Sequence, residues 1–122
     1  LVLPRIEADR IFPIPLHRGS DRGFNQAGLI ATGLGDVWGI PVEEGLAWSI
    51  PVSPRAGATA AERRLPDRAI RATSDLSGIR ILLADDVRTT GGTVRAAGTA
   101  VRIAGGAVAA AVTVSCALRT SW

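Results

Sequence analysis

The stretch Asp85-Asp86-Val87-Arg88-Thr89-Thr90-Gly91-Gly92-Thr93 concentrates the groups best able to do chemistry in this chain. Gly91 and Gly92 let a backbone turn tightly and approach an anion with no Cβ in the way, and free N–H groups at a helix start point at the same spot. Thr89, Thr90 and Thr93 add hydroxyl donors. A helix dipole alone contributes only about 0.3–1 kcal/mol, so a phosphate here must be held by several convergent, charge-assisted hydrogen bonds. The two acids answer a different need. Carboxylates about 5 Å apart repel by roughly 3 kcal/mol at an effective dielectric of 20, which sugar hydroxyls or a Mg²⁺ ion would relieve. The plainer alternative makes one Asp a helix cap and the other a surface charge.

The elements that must position this loop can be read from apolar spacing. Ile79, Ile81, Leu82, Leu83 and Ala84 form a nearly continuous apolar run, as in parallel strands covered on both faces, ending at Asp85-Asp86. Val94, Ala97, Val101 and Ala104 then repeat at helical spacing up to Gly105-Gly106, and Ala107 to Leu118 reads as a last strand. Strand, loop, helix and strand at this spacing make a βαβ unit with parallel strands, whose ligands sit at the strands' carboxyl ends. Upstream, Ile11 to Leu16 predicts a strand that Pro13 and Pro15 confine to an edge or terminus. Phe24, Ala27, Ala31, Leu34 and Trp38 predict a helix over about 23–38, and Val42 to Ile50 a second extended segment. Residues 51–75, rich in Pro, Ala, Gly and Arg, are expected to form a long flexible loop, either a lid or a solvated connector. The fold class is therefore α/β: one domain over 1–122, an open, mostly parallel sheet flanked by helices.

Composition narrows the chemistry. All 14 basic side chains are Arg, so the pI of 10.9 reflects missing Lys more than a large charge, the formal net charge being +3. That suits a small anionic ligand better than nucleic acid. Without Lys, Walker-type phosphate loops, Schiff bases and pyridoxal phosphate attachment are excluded. The single cysteine, Cys116, permits no internal disulfide and sits in an apolar strand pattern. No apolar run long enough for membrane insertion exists, and Arg5, Glu7, Asp9 and Arg10 oppose a signal peptide, so a cytoplasmic protein is expected. Met is absent, which predicts that sequence upstream of this chain is missing.

The run Ile81 to Thr93 resembles the ribose-phosphate signature of type I phosphoribosyltransferases, and Pro13-Ile14-Pro15-Leu16-His17 followed by Arg22-Gly23-Phe24-Asn25-Gln26 resembles their competence-associated, ComF/GntX-like branch. The resemblance spans about 11–118. It implies a type I phosphoribosyltransferase-like fold that binds phosphoribosyl pyrophosphate with Mg²⁺ near Asp85 and Asp86, no residue being a direct ligand by the motif. It further implies that Asp85 and Asp86 contact the ribose hydroxyls and that Arg88, Thr89, Thr90, Gly91, Gly92 and Thr93 surround the 5′-phosphate. His17 and Arg18 would form the pyrophosphate loop, with Arg18 joining the two acids as the catalytic set, and Arg63 and Arg64 would lie on the flexible loop. The chain departs from the family pattern in a shorter 18–22 stretch, in Arg55 and Pro66 where a Gln and an Asn are expected, and in lacking the Cys-rich module that commonly precedes the domain.

On this basis the chain is expected to transfer a phosphoribosyl group to a base or amine acceptor with release of pyrophosphate. The alternative is a non-catalytic ribose-phosphate or nucleotide-binding module acting in competence, with the DNA-uptake machinery as its partner. A homodimer is open to either. A dinucleotide-binding Rossmann domain ranks far behind, because the glycines lack the Gly-x-Gly-x-x-Gly spacing.

Overall fold

The computed structural model describes residues 6–15, 25–49, 68–86 and 91–114. Their centre is strand β4 (Arg80–Asp86), which pairs in parallel with β1 (Arg10–Pro13) on one edge and β5 (Ala107–Val114) on the other. Ile81, Leu82, Leu83 and Ala84 are essentially inaccessible, as a strand flanked on both edges and covered on both faces requires. Pro41 to Glu43 runs along the outer edge of β1: Ile11 N–H donates to Pro41 O at 2.9 Å and Glu43 N–H to Ile11 O at 3.0 Å.

Each face of the sheet is closed by one helix. Helix α1 (Gln26–Trp38) buries Ala27, Ala31, Gly35 and Trp38, and its central part packs with Ile11, Ile40, Leu82 and Ala84. It starts later than the apolar spacing predicts, because Asn25 holds an extended conformation and caps the helix instead of joining it. Gly39, at φ 68°, ends it in the left-handed region and returns its N–H to Gly35 O. Helix α2 (Gly91–Ile103) covers the other face through Ala96, Ala97, Ala100 and Val101.

A second, antiparallel sheet of β2 (Leu46–Trp48) and β3 (Ile70–Ala72) joins the α2 face, with Leu46, Ala69 and Ile70 in the cluster that holds Phe12, Ile81 and Leu83. Strand β3 corrects the reading of 51–75 as one irregular connector. Only 68–75 of that stretch is described, and its three strand residues take their order from pairing with β2 and packing on α2. Two further boundaries move: β4 continues through the acid pair, and α2 begins at Gly91 instead of near Val94. Along β5 the pairing shifts by one residue, Val108 lying opposite Ile81 and Ala110 opposite Leu82. The extra residue, Ala109, is a bulge that moves Val108 to the α2 side while Ala110 and Val112 pack on the α1 side.

The turn entering β4 is held by Asp75, whose Oδ1 accepts from the Ser77 hydroxyl at 2.7 Å and the Ser77 N–H at 3.1 Å. The hydroxyl bond first, then the backbone bonds, hold this exposed carboxyl below its ordinary value. A depressed folded-state pKa gives stability that is present above the unfolded value and lost as pH falls through the folded one. Ser77→Ala should therefore return the Asp75 titration toward the ordinary carboxylate range of about 4 and flatten the acid limb of stability below it, as read by carboxyl-carbon NMR and acid unfolding.

Two glycines give opposite expectations. A Cβ on Gly45 would lie 2.3 Å from the Phe12 ring, whereas one on Gly33, on the exposed side of α1, would meet nothing within 4 Å. Gly45→Ala should cost about 1–3 kcal/mol in urea unfolding, and Gly33→Ala should add up to about 1 kcal/mol.

Candidate functional site

The carboxyl end of β4 is unusual for the interior of a small domain. After four apolar residues the strand places Asp85 and Asp86 in succession, each only 2% exposed. Ile81 and Leu83 belong to the α2-side cluster and Leu82 and Ala84 to the α1-side cluster, so strand alternation puts Asp85 on the α2 face and Asp86 on the α1 face. The main chain between them is fixed by Asp86 N–H donating to Asp85 Oδ1 at 2.8 Å.

The two edges of β4 differ here. On the β5 side the ladder continues, with Asp85 opposite Thr113 and Asp86 opposite Val114. On the β1 side the last rung among the described residues is Ile14 N–H to Ala84 O at 2.9 Å. Ile14 O accepts from Asn25 Nδ2 at 3.2 Å, and Pro15 O from Trp48 Nε1 at 2.9 Å. The described β1–β4 pairing thus runs as far as Ala84, the residue before the acids.

This geometry removes the plainer reading of the pair. Helix α2 starts at Gly91, so its cap position falls immediately before that residue, well past Asp86. Burial also excludes a role as solvated surface charge. Taking a carboxylate out of water costs several kcal/mol even after relaxation, and apolar residues in the same place are often as stable or more so. Two such groups at the end of a central parallel strand are thus poorly explained by stability and well placed for a ligand.

Gly91, Gly92 and Thr93 form the first turn of α2. The two glycines thus lie in the helix start and not in a loop. Thr93 is buried, and this first turn contains no acidic residue, while Arg102 sits in the last turn, where it complements the dipole. The candidate residues His17, Arg18, Arg63, Arg64, Arg88, Thr89 and Thr90 lie outside the described residues, as does Cys116. Among the described residues no group of three or more His, Cys, Asp or Glu side chains gathers to hold a metal.

At the end of β1, Pro13, Pro15, Asn25, Glu44 and Leu46 line a cavity of about 300 Å³. Asn25 is the residue that sequence reasoning undervalued. Its Oδ1 accepts from Ala27 N–H at 3.1 Å while its Nδ2 holds Ile14 O, so one side chain fixes both the start of α1 and the end of β1. An Asn ahead of apolar residues at helical spacing is the signal that marks it. Glu44 and Leu46 carry no local signal of this kind.

Comparison with known proteins finds no matching family model, no matching curated protein and no matching solved structure.

Asn25→Ala should cost about 1–2 kcal/mol in urea unfolding, and Asn25→Asp, which keeps the cap but loses the donor to Ile14 O, should fall between it and the parent.

Proposed function

We propose that the carboxyl edge of β4 binds phosphoribosyl pyrophosphate and that the protein transfers its phosphoribosyl group to a base or amine acceptor. The observation that carries this reading is the burial of Asp85 and Asp86 at the end of the central strand, six and five residues before a helix start formed by Gly91, Gly92 and Thr93. The sequence resemblance over 81–93 supports it.

In this proposal the acids accept hydrogen bonds from the ribose hydroxyls, and their negative charge favours the positive charge that develops on the ring as pyrophosphate departs from the anomeric carbon. The Gly91 and Gly92 amides and the Thr93 hydroxyl hold the 5′-phosphate, with Arg88, Thr89 and Thr90 completing the cradle. The acceptor nitrogen forms the new bond to the anomeric carbon, its electron pair replacing the one that leaves with pyrophosphate, and its proton passes to solvent. Asp85 and Asp86 would lie near a Mg²⁺ ion, which would supply charge neutralisation of the leaving group. His17 and Arg18 serve the same end of the ligand in the pyrophosphate loop.

Replacing both acids by Asn separates site from scaffold. Asp85→Asn with Asp86→Asn keeps the shape and volume of both side chains and should lower calorimetric affinity for phosphoribosyl pyrophosphate in Mg²⁺ by about tenfold or more, with urea unfolding of the variant still cooperative. Unchanged affinity rejects the proposal. Binding by the parent that depends steeply on salt but not on Mg²⁺ would favour direct nucleic-acid contact instead. Binding without pyrophosphate release across a panel of nucleobases would favour the non-catalytic module.

A further inference from the structure

The cavity at the end of β1 has a chemistry of its own. Pro13, Pro15 and Leu46 give it flat apolar walls, and among the described lining residues the polar side chains are the Asn25 amide and the Glu44 carboxylate. The walls are preformed. Pro15 O accepts from Trp48 Nε1 at 2.9 Å, Asn25 is fixed at both ends of its amide, and Leu46 belongs to the buried core. After these bonds, Asn25 still has one N–H and one oxygen lone pair to offer.

Glu44 is the decisive wall. Its neighbour Glu43 takes the nearby cation, pairing with Arg10 at 3.0 Å, while Glu44 makes no hydrogen bond or ion pair with any described residue. A carboxylate is acceptor-only, so it disfavours a phosphate and is satisfied by a group presenting N–H donors. The volume lies at the small end of the range for ligand pockets, about 300–1,000 Å³, which suits a single flat ring system. Pro13 pairs with Ala84, so this slot lies beside the strand end that carries Asp85 and Asp86.

We infer that this cavity is the acceptor subsite and takes a flat nitrogenous ring that presents adjacent N–H donors to Glu44. Its role as an acceptor subsite rests on the phosphoribosyl-transfer reading; its preference for N–H donors rests on the lining residues alone. The carboxylate is then a specificity determinant: it accepts two parallel hydrogen bonds from an amino group and the neighbouring ring N–H, and it repels a ring edge made of carbonyl oxygens.

The test titrates the full chain with isocytosine, whose ring N–H and amino group are adjacent, and with uracil, whose two ring N–H groups each neighbour a carbonyl and have no second donor beside them. Amide NMR should show isocytosine shifting the Asn25 side-chain amide and the Trp48 indole N–H, with uracil binding about tenfold more weakly or less. Glu44→Gln, an exposed and conservative change, should weaken isocytosine by about tenfold or more while leaving calorimetric affinity for phosphoribosyl pyrophosphate as in the parent. Isocytosine shifts that map elsewhere, or an unchanged affinity in Glu44→Gln, overturn the inference. Phosphoribosyl pyrophosphate bound with no isocytosine bound refutes this subsite alone. Isocytosine bound through Glu44 with no phosphoribosyl pyrophosphate bound upholds the N–H-selective slot and refutes the transfer reading and, with it, the subsite's role as acceptor site.

Discussion

A strand hydrogen-bonded along both edges and covered on both faces can carry polar side chains cheaply only near its ends, and β4 is such a strand. Its apolar residues serve two clusters at once: Ile81 and Leu83 face α2 and the small antiparallel sheet, and Leu82 and Ala84 face α1. Both helices and both flanking strands are positioned by reference to it. The acids follow directly on this apolar run, just past Ala84, where the β1 pairing ends among the described residues.

The end of β1 is held by side chains from two other elements: Asn25 donates to Ile14 O, and the Trp48 indole donates to Pro15 O. The apolar slot at this strand end lies next to the carboxyl end of β4, which carries the two buried carboxylates. In the proposed reaction the two would receive different partners, a donor-bearing ring and a sugar diol. Their separation into distinct chemistries argues for a site that brings two molecules together.

Much of this was legible in the sequence, and the misses have physical causes. The Ile81 to Ala84 run and the spacing of Val94, Ala97 and Val101 predicted a parallel βαβ unit, and β4, α2 and β5 form one. Asp85 and Asp86 contrast with that run, but Asp disfavours strands, so the sequence pattern ends the strand before them. Gly91 and Gly92 each disfavour a helix by about 1 kcal/mol relative to Ala, so the pattern starts α2 near Val94. Strand β3 was missed because Ile70 to Ala72 is too short to show alternation and lies between Arg68 and a polar turn; only contacts distant in sequence order it. The slot was invisible for the same reason, since its lining comes from β1, the α1 cap and the approach to β2, and no local pattern joins them.

The bulge at Ala109 acts as a phase shifter for the end of the sheet. Were β5 paired without the skipped residue, Val112 would stand beside Asp85; with it, Thr113 does, and a hydroxyl replaces a branched hydrocarbon as the acid's lateral neighbour. An alanine with no reactive group, placed four residues upstream, thus selects which side chain borders the chemistry.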